Sequence, residues 1–236
     1  MKPSGALAHR GIGREGPTVP ELIRAMGEKG AGAVHRLDRG TSGALVVARD
    51  PAAARTLSEA FERGDVEKRY LALVRGVAPE HGDLDYPVPS GPVEDGLEPP
   101  RVPARTRFSR LATAATEPRS VSLILAAPLT GRFHQVRRHL KHLSHPVIGD
   151  STHGKGALNR AIRERYGLAR LALHAIWICF PDPAQQSRSI AVFAPPPTDL
   201  TEPFRRMGFS PEVWSEDAIG RRPSAAFGRA KRAAEG

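Results

Sequence analysis

Apolar and polar positions along the chain repeat with two different periods. Residues 44–48 and 120–126 are short, nearly continuous apolar runs and read as strands, as do 66–74, whose second half is apolar, and 190–193 before three consecutive prolines. Residues 104–112 alternate and read as a further strand. Helical spacing takes over where Ala53, Leu57, Ala60 and Phe61 share one face of a helix opened by Asp50-Pro51 and closed by Gly64. Helices are also expected over 20–29, with Thr18 as cap, over 134–143, and over 158–166, ended by Gly167. The Pro- and Gly-rich stretch 77–103 is expected to form surface loops. Strands joined by loops as often as by helices argue for a mixed α/β (α+β) domain, not a doubly wound parallel one.

Composition narrows this picture. At 236 residues the chain can bury one large core. The expected division is a catalytic unit over 1–200, then a helical segment and basic tail over 201–236. That tail is Arg/Ala-rich from Gly220 onward and is expected to be disordered. Lys plus Arg number 35 against 25 Asp plus Glu, a net +10, which favours a polyanionic partner through phosphate contacts and counterion release. Arg- and Ala-rich composition also follows from GC-rich coding, but the arginines gather in the motifs below. The single cysteine, Cys179, excludes an intrachain disulfide and a Cys-based zinc site, and its apolar run suggests a buried thiol. No apolar stretch approaches the roughly 18 residues of a membrane span, and no signal-peptide core opens the chain, so a cytoplasmic protein is expected. Gly11 to Gly16 spell G-x-G-x-x-G. No strand precedes them and Pro17 follows, which argues against a dinucleotide site.

The densest chemistry lies in His35-Arg36-Leu37-Asp38-Arg39-Gly40-Thr41-Ser42-Gly43. It sets one carboxylate between two arginines on a glycine-flanked turn. Nearby positive charge keeps such a carboxylate ionised, ready to act as nucleophile or base. The plainer reading is a turn whose Asp38 caps the next element. Lys68-Arg69-Tyr70 opens a strand, and Thr130-Gly131-Arg132-Phe133-His134-Gln135-Val136-Arg137-Arg138-His139-Leu140 runs from a turn into a basic helix. Farther on come Pro146-Val147-Ile148-Gly149-Asp150 and Leu171-Ala172-Leu173-His174-Ala175. Together and in this order, these segments resemble the RluA-type pseudouridine synthases, over roughly residues 1 to 195. The wording of residues 137–154, with His153 before Gly154, is similar to a branch of that family acting on tRNA.

The resemblance implies a mainly antiparallel sheet flanked by helices, with the active cleft across one face. It implies that Lys2-Pro3-Ser4-Gly5 follows two N-terminal strands, which this sequence does not include. It makes Asp38 the catalytic carboxylate and Arg132 its arginine partner, and sets Tyr70 against the uracil with its hydroxyl near C5 as a candidate proton acceptor. Arg36 is expected to enter the space left by the flipped base, and Lys68 to support the pocket. Taken alone, Arg132 could instead bind phosphate at a helix N-terminus, and Tyr70 could be a core residue. His134, Gln135, Arg137, Arg138 and Lys141 are expected to contact the RNA, with tRNA the leading expectation. No cofactor, metal or obligate protein partner is implied. A zinc site from His134, His139, His142 and His145 is disfavoured by its spacing and by the cations between them. An rRNA-modifying enzyme of the same family, or an RNA-binding protein that has kept only the fold, are the competing readings.

Overall fold

The computed structural model describes residues 1–7, 16–28, 30–93, 95–185 and 187–220. In chain order the elements are α1 (Val19–Ala25), β1 (Gly32–Ala33), β2 (Ser42–Gly43), β3 (Val47–Ala48), α2 (Pro51–Arg63), β4 (Glu67–Arg75), β5 (His81–Asp85), β6 (Val88–Pro89), β7 (Arg101–Val102), β8 (Arg105–Ala114) and β9 (Val121–Pro128). After these come α3 (Gln135–His142), α4 (Gly156–Tyr166), β10 (Leu173–Pro181), β11 (Ser189–Phe193), α5 (Thr198–Arg206), a 3-10 turn (Pro211–Trp214) and α6 (Glu216–Gly220).

Local chemistry accounts for the helix ends. Thr18 and Glu21 form a reciprocal capping box at α1. At α2 the Asp50 side chain accepts from the Ala53 amide at 2.8 Å, Pro51 fills the first turn, and Gly64 closes the helix in the left-handed conformation.

The main sheet runs β11-β10-β4-β9-β8-β5, every neighbouring pair antiparallel, with β2 added in parallel beside β10. The mixed α/β fold with a mainly antiparallel sheet is thus as expected. β9 is buried along its whole length, because the sheet is covered on both faces. The principal core joins Leu71, Leu73, Leu123 and Ile124 to Leu140 of α3, Ile162 of α4 and Leu200 and Phe204 of α5. A second cluster packs Leu57 and Ala60 of α2 against Val46, Ile178 and Phe180.

Several expectations need correction. The stretch 77–103 is not all loop: β5 pairs with β8, and β6 with β7. Only Val47–Ala48 of the apolar run 44–48 is strand: β3 pairs with β1, while β2, which joins the main sheet, precedes the run at Ser42–Gly43. Residues 201–220 carry helical turns, and Phe204, Met207, Phe209, Trp214 and Ile219 bury into the same core as the strands. Cys179 is half-buried, not enclosed. The tail beyond Gly220 and most of the Gly11–Gly16 motif lie outside the described residues.

Candidate active site

Asp38 sits in the turn between β1 and β2, and three features hold that turn. Its own carbonyl accepts from the Thr41 amide at 3.0 Å. Lys2, only 3 % exposed, sends its ammonium to the carbonyls of Asp38, Arg39 and Thr41 at 3.1, 3.1 and 2.8 Å. Burial pushes the Lys2 pKa down to about 8, against the pull of Asp38. Gly43 lets the chain pass against β10: at φ +123° a Cβ there would lie 2.3 Å from the Ala175 carbonyl oxygen.

The arginine at Asp38 is Arg137, not Arg132. Arg137 Nη1 donates to Asp38 Oδ2 at 3.1 Å, while Nε and Nη2 grip both oxygens of Asp150 at 2.7 and 2.8 Å. The fork of one guanidinium therefore joins two carboxylates. Burial opposes the charge on Asp150. The Arg137 bonds and the His153 and Thr152 amides outweigh it and hold the carboxyl below its ordinary range. Asp150 is positioned by the turn at Gly149, where φ is +77° and a Cβ would fall 1.9 Å from the Arg170 carbonyl oxygen. Arg132 instead lies exposed, its Nε donating to the Pro103 carbonyl at 3.2 Å. The physical reason is helix phase. Arg137 lies on the buried face of α3 with Val136 and Leu140, whereas Arg132 precedes the helix on an open turn. A signal for this was present: Asp150 follows an apolar run, and a carboxylate taken into the core needs a cation.

Tyr70 enters from the middle of the sheet, opposite Ala126 of β9 and Ala175 of β10. Cross-strand partners share a face, so the methyl groups of Ala126 and Ala175 flank its ring. Burial, reinforced by the Asp38 charge, raises the pKa of its hydroxyl above the ordinary tyrosine value. Lys68 shares that face of β4 two residues away. Its ammonium is 6.0 Å from the Phe61 ring centroid, and burial pushes its pKa down to about 8.

Behind the turn runs a hydrogen-bond chain that motif reading did not find. Arg170 is paired with Asp199 of α5 at 3.1 Å and donates to Ser42 Oγ at 2.6 Å. Ser42 Oγ meets His174 Nδ1 at 2.8 Å, and His174 Nε2 meets the Ala194 carbonyl at 2.9 Å. A carbonyl only accepts, so Nε2 carries the proton, Nδ1 accepts from the serine, and the chain points one way. Burial drives the His174 pKa down to about 4, so the ring stays neutral and His174 serves as an internal strut.

The remaining expected site residues divide by exposure. Arg36 and Lys141 are exposed, and Arg138 is half-buried with its guanidinium 5.5 Å from the Phe133 ring centroid. Gln135 is committed internally. It donates to the Arg105 carbonyl and Thr106 Oγ1, each at 2.9 Å, and accepts from Thr130 Oγ1 at 2.6 Å and the Arg132 amide at 3.0 Å. Gln135 and Arg137 are therefore parts of the scaffold, not of an RNA-facing helix surface. His134 stands beside Asp38, with Nε2 3.8 Å from Oδ2. The other histidines of that segment have separate partners: His139 meets the Tyr86 carbonyl, His142 stacks on the Tyr86 ring, and His145 meets the Arg75 carbonyl. Among the described residues no three His, Cys, Asp or Glu side chains could share a metal ion, and no helix is long and apolar enough to cross a membrane.

Comparison with known proteins gives the arrangement its family. A family model described as RNA pseudouridylate synthase matches residues 1–142. The tRNA pseudouridine synthase C of Haemophilus ducreyi is 39 % identical over 195 residues, covering 77 % of this chain and 80 % of that protein. That of Yersinia pestis is 38 % identical over 195 residues, covering 74 % and 73 %. Among solved structures, human RNA pseudouridylate synthase domain containing 1 superposes with a TM-score of 0.65 at 31 % identity, over 78 % of this chain and 76 % of that one. With this fold, these motifs and relatives matched over three quarters of its length, the chain belongs to the RluA-type pseudouridine synthase family and is an isomerase acting on RNA.

Proposed function

We propose that the enzyme converts a uridine in the T-arm stem of tRNA to pseudouridine, with Asp38 as the reacting carboxylate. The observation carrying the chemical part is the geometry at Asp38. One carboxylate oxygen is held by Arg137 at 3.1 Å, on a turn braced by Lys2 and near enough to Tyr70 for its charge to act on that hydroxyl. The reaction breaks the N1–C1′ bond, turns the uracil within the pocket and joins C5 to C1′. Taking the base out of its stack costs a few kcal/mol, which contacts to the flipped nucleotide offset. In this reading Tyr70 stacks on the uracil, Arg36 fills the space it leaves, and Arg137 keeps Asp38 ionised and aimed.

The choice of tRNA follows the relatives named tRNA pseudouridine synthase C, which match this chain over about three quarters of its length. RNA is then the partner, and the cytoplasm the place where the enzyme meets it. Purified enzyme given unmodified tRNA and rRNA fragments in parallel should convert a T-stem uridine of tRNA first. Faster conversion of an rRNA fragment would overturn the substrate while leaving the reaction in place.

A further inference from the structure

His134 stands beside Asp38, and His153 stands against His134, with no task for either in this scheme. His134 Nδ1 and His153 Nε2 are 3.2 Å apart, with the rings edge to face, and the other nitrogen of His134 is the one 3.8 Å from Asp38. His134 occupies the N-cap of α3 in the left-handed conformation, φ +51°, yet its side chain caps nothing. A non-glycine residue held there is unusual and points to a constraint other than helix capping. Phe133 stacks on its ring with centroids 3.8 Å apart. His153 is tied in turn to the ion pair, since its amide donates to Asp150 at 2.9 Å.

We propose that His134 takes the C5 proton in the last step of the isomerisation, with His153 as its proton relay. The assignment rests on Asp38 being the reacting carboxylate. Whatever route breaks the N1–C1′ bond, the new C5–C1′ bond leaves C5 tetrahedral, still bearing its hydrogen, and leaves a double bond between N1 and C6. The C5–H bond then breaks, its electron pair forms the C5–C6 double bond, and the N1–C6 π pair moves onto N1. His134 Nε2 receives the C5 proton as its Nδ1 proton passes to His153. N1 takes a proton from water, and the histidine pair returns one to solvent, so no co-reactant is consumed. Loss of the C5 proton restores the conjugated pyrimidine, so a weak base suffices.

The neighbours make His134 the available acceptor. Tyr70 is kept protonated by burial and by the Asp38 charge, and Arg137 is a cation. The charged groups around the pair are Asp38 from the turn, Arg137, Arg138 and Lys141 from α3, and Asp150 from the following turn. Burial pushes His134 and His153 each down to about 4, so both rings are neutral at pH 7. A bond between two neutral imidazoles needs complementary tautomers, one nitrogen donating and the other accepting, which is the arrangement a relay requires.

The test uses RNA substrate carrying deuterium or tritium at uridine C5. His134→Asn and His134→Gly are the variants of choice, because both residues tolerate a positive φ. Each should lower kcat by about 10²-fold with KM nearly unchanged, raise the primary deuterium isotope effect, and slow tritium release. Added imidazole should partly restore His134→Gly. His153→Leu should give a smaller loss with the same rise in isotope effect. Wild-type turnover in His134→Asn would overturn the proposal. So would a slow variant with no larger isotope effect and no imidazole rescue, since that pattern marks a structural role. Asp38→Asn run in parallel separates the two readings: turnover there would overturn the role of Asp38 itself, whatever the His134 variants do.

Discussion

Replacing Arg137 by alanine tests the ion pair on which the site is built. The substitution removes two hydrogen bonds to Asp150, at 2.7 and 2.8 Å, and one to Asp38 at 3.1 Å. It strands two carboxylates, one with a side chain 0 % exposed and the other 21 % exposed. Breaking a buried pair by removing one partner costs about 3–5 kcal/mol, because the remaining charge is left in the interior. For a chain of this size that corresponds to a melting temperature lowered by about 6–20 °C. The pH dependence has a definite sign. In the wild type Asp150 titrates below its ordinary value, so the stability it contributes is present above the unfolded pKa and is lost as pH falls through the folded one. In Arg137→Ala only the Thr152 and His153 amides are left to oppose burial, so the Asp150 pKa rises relative to wild type and the variant gains a proton first as the solution is acidified. The deficit should be widest near pH 7 and narrow towards pH 4. Scanning calorimetry across that range, with a single-turnover assay at neutral pH, measures both quantities. A melting temperature within 2 °C of wild type at pH 7, or a deficit that does not change with pH, would refute the reasoning. Arg137→Lys should recover part of the stability and little turnover, since a point charge cannot reproduce the fork.

Four further outcomes are expected. Asp38→Asn should abolish product formation while leaving the RNA dissociation constant within a few-fold of wild type in a filter-binding assay. Arg132→Ala should change stability by about 0.5 kcal/mol or less, as for exposed positions in general, and a large loss on denaturant titration would return Arg132 to the ion pair. Lys2→Met should lower both stability and turnover by removing the ammonium that gathers the carbonyls of Asp38, Arg39 and Thr41. Because native Lys2 titrates at about 8 against an ordinary 10.5, the native state binds fewer protons between those values, and wild-type stability should rise with pH there more steeply than that of the variant. Replacing Arg138 and Lys141 by alanine should flatten the salt dependence of RNA binding by about 0.9 log unit per lost phosphate contact, taking duplex DNA as the guide, and leave kcat at saturating RNA much less affected.

Much of the fold was legible because each element carries its own local signal. Asp50-Pro51 and Gly64 bracket α2, and the apolar runs of β4 and β9 mark strands covered on both faces. The residues missed were those whose position depends on distant chain. β5 reads His-Gly-Asp-Leu-Asp, with only Leu84 apolar, and is a strand because β8 pairs with it and Arg105 and Arg107 neutralise Asp83. Asp38 and Tyr70 stood out from sequence since each lies in a short motif. Choosing between Arg132 and Arg137 required knowing which face of α3 meets the turn, and that is set by Val136 and Leu140 packing on the sheet. Lys2 and Arg170 look like ordinary surface cations until the carbonyls and the serine they reach are in view.

The pairing of β2 with β10 bears on when the site comes into being. Ser42 and His174 are 132 residues apart in the chain, and Ala44 donates to the carbonyl of Ala175. Nothing near Asp38 in sequence can stand in for those contacts. The β8–β9 hairpin and the β4–β9 pair form between nearer segments, and closing the longer loop carries the larger entropic cost. The Asp38 turn is therefore expected to settle only after β10 has been made and docked. During synthesis four of the seven strands of the main sheet, β4, β9, β8 and β5, would leave the ribosome before any chain is competent to act on RNA. A nascent chain stalled before residue 173 should protect β4 and β9 amides from exchange while leaving those of residues 38–44 open.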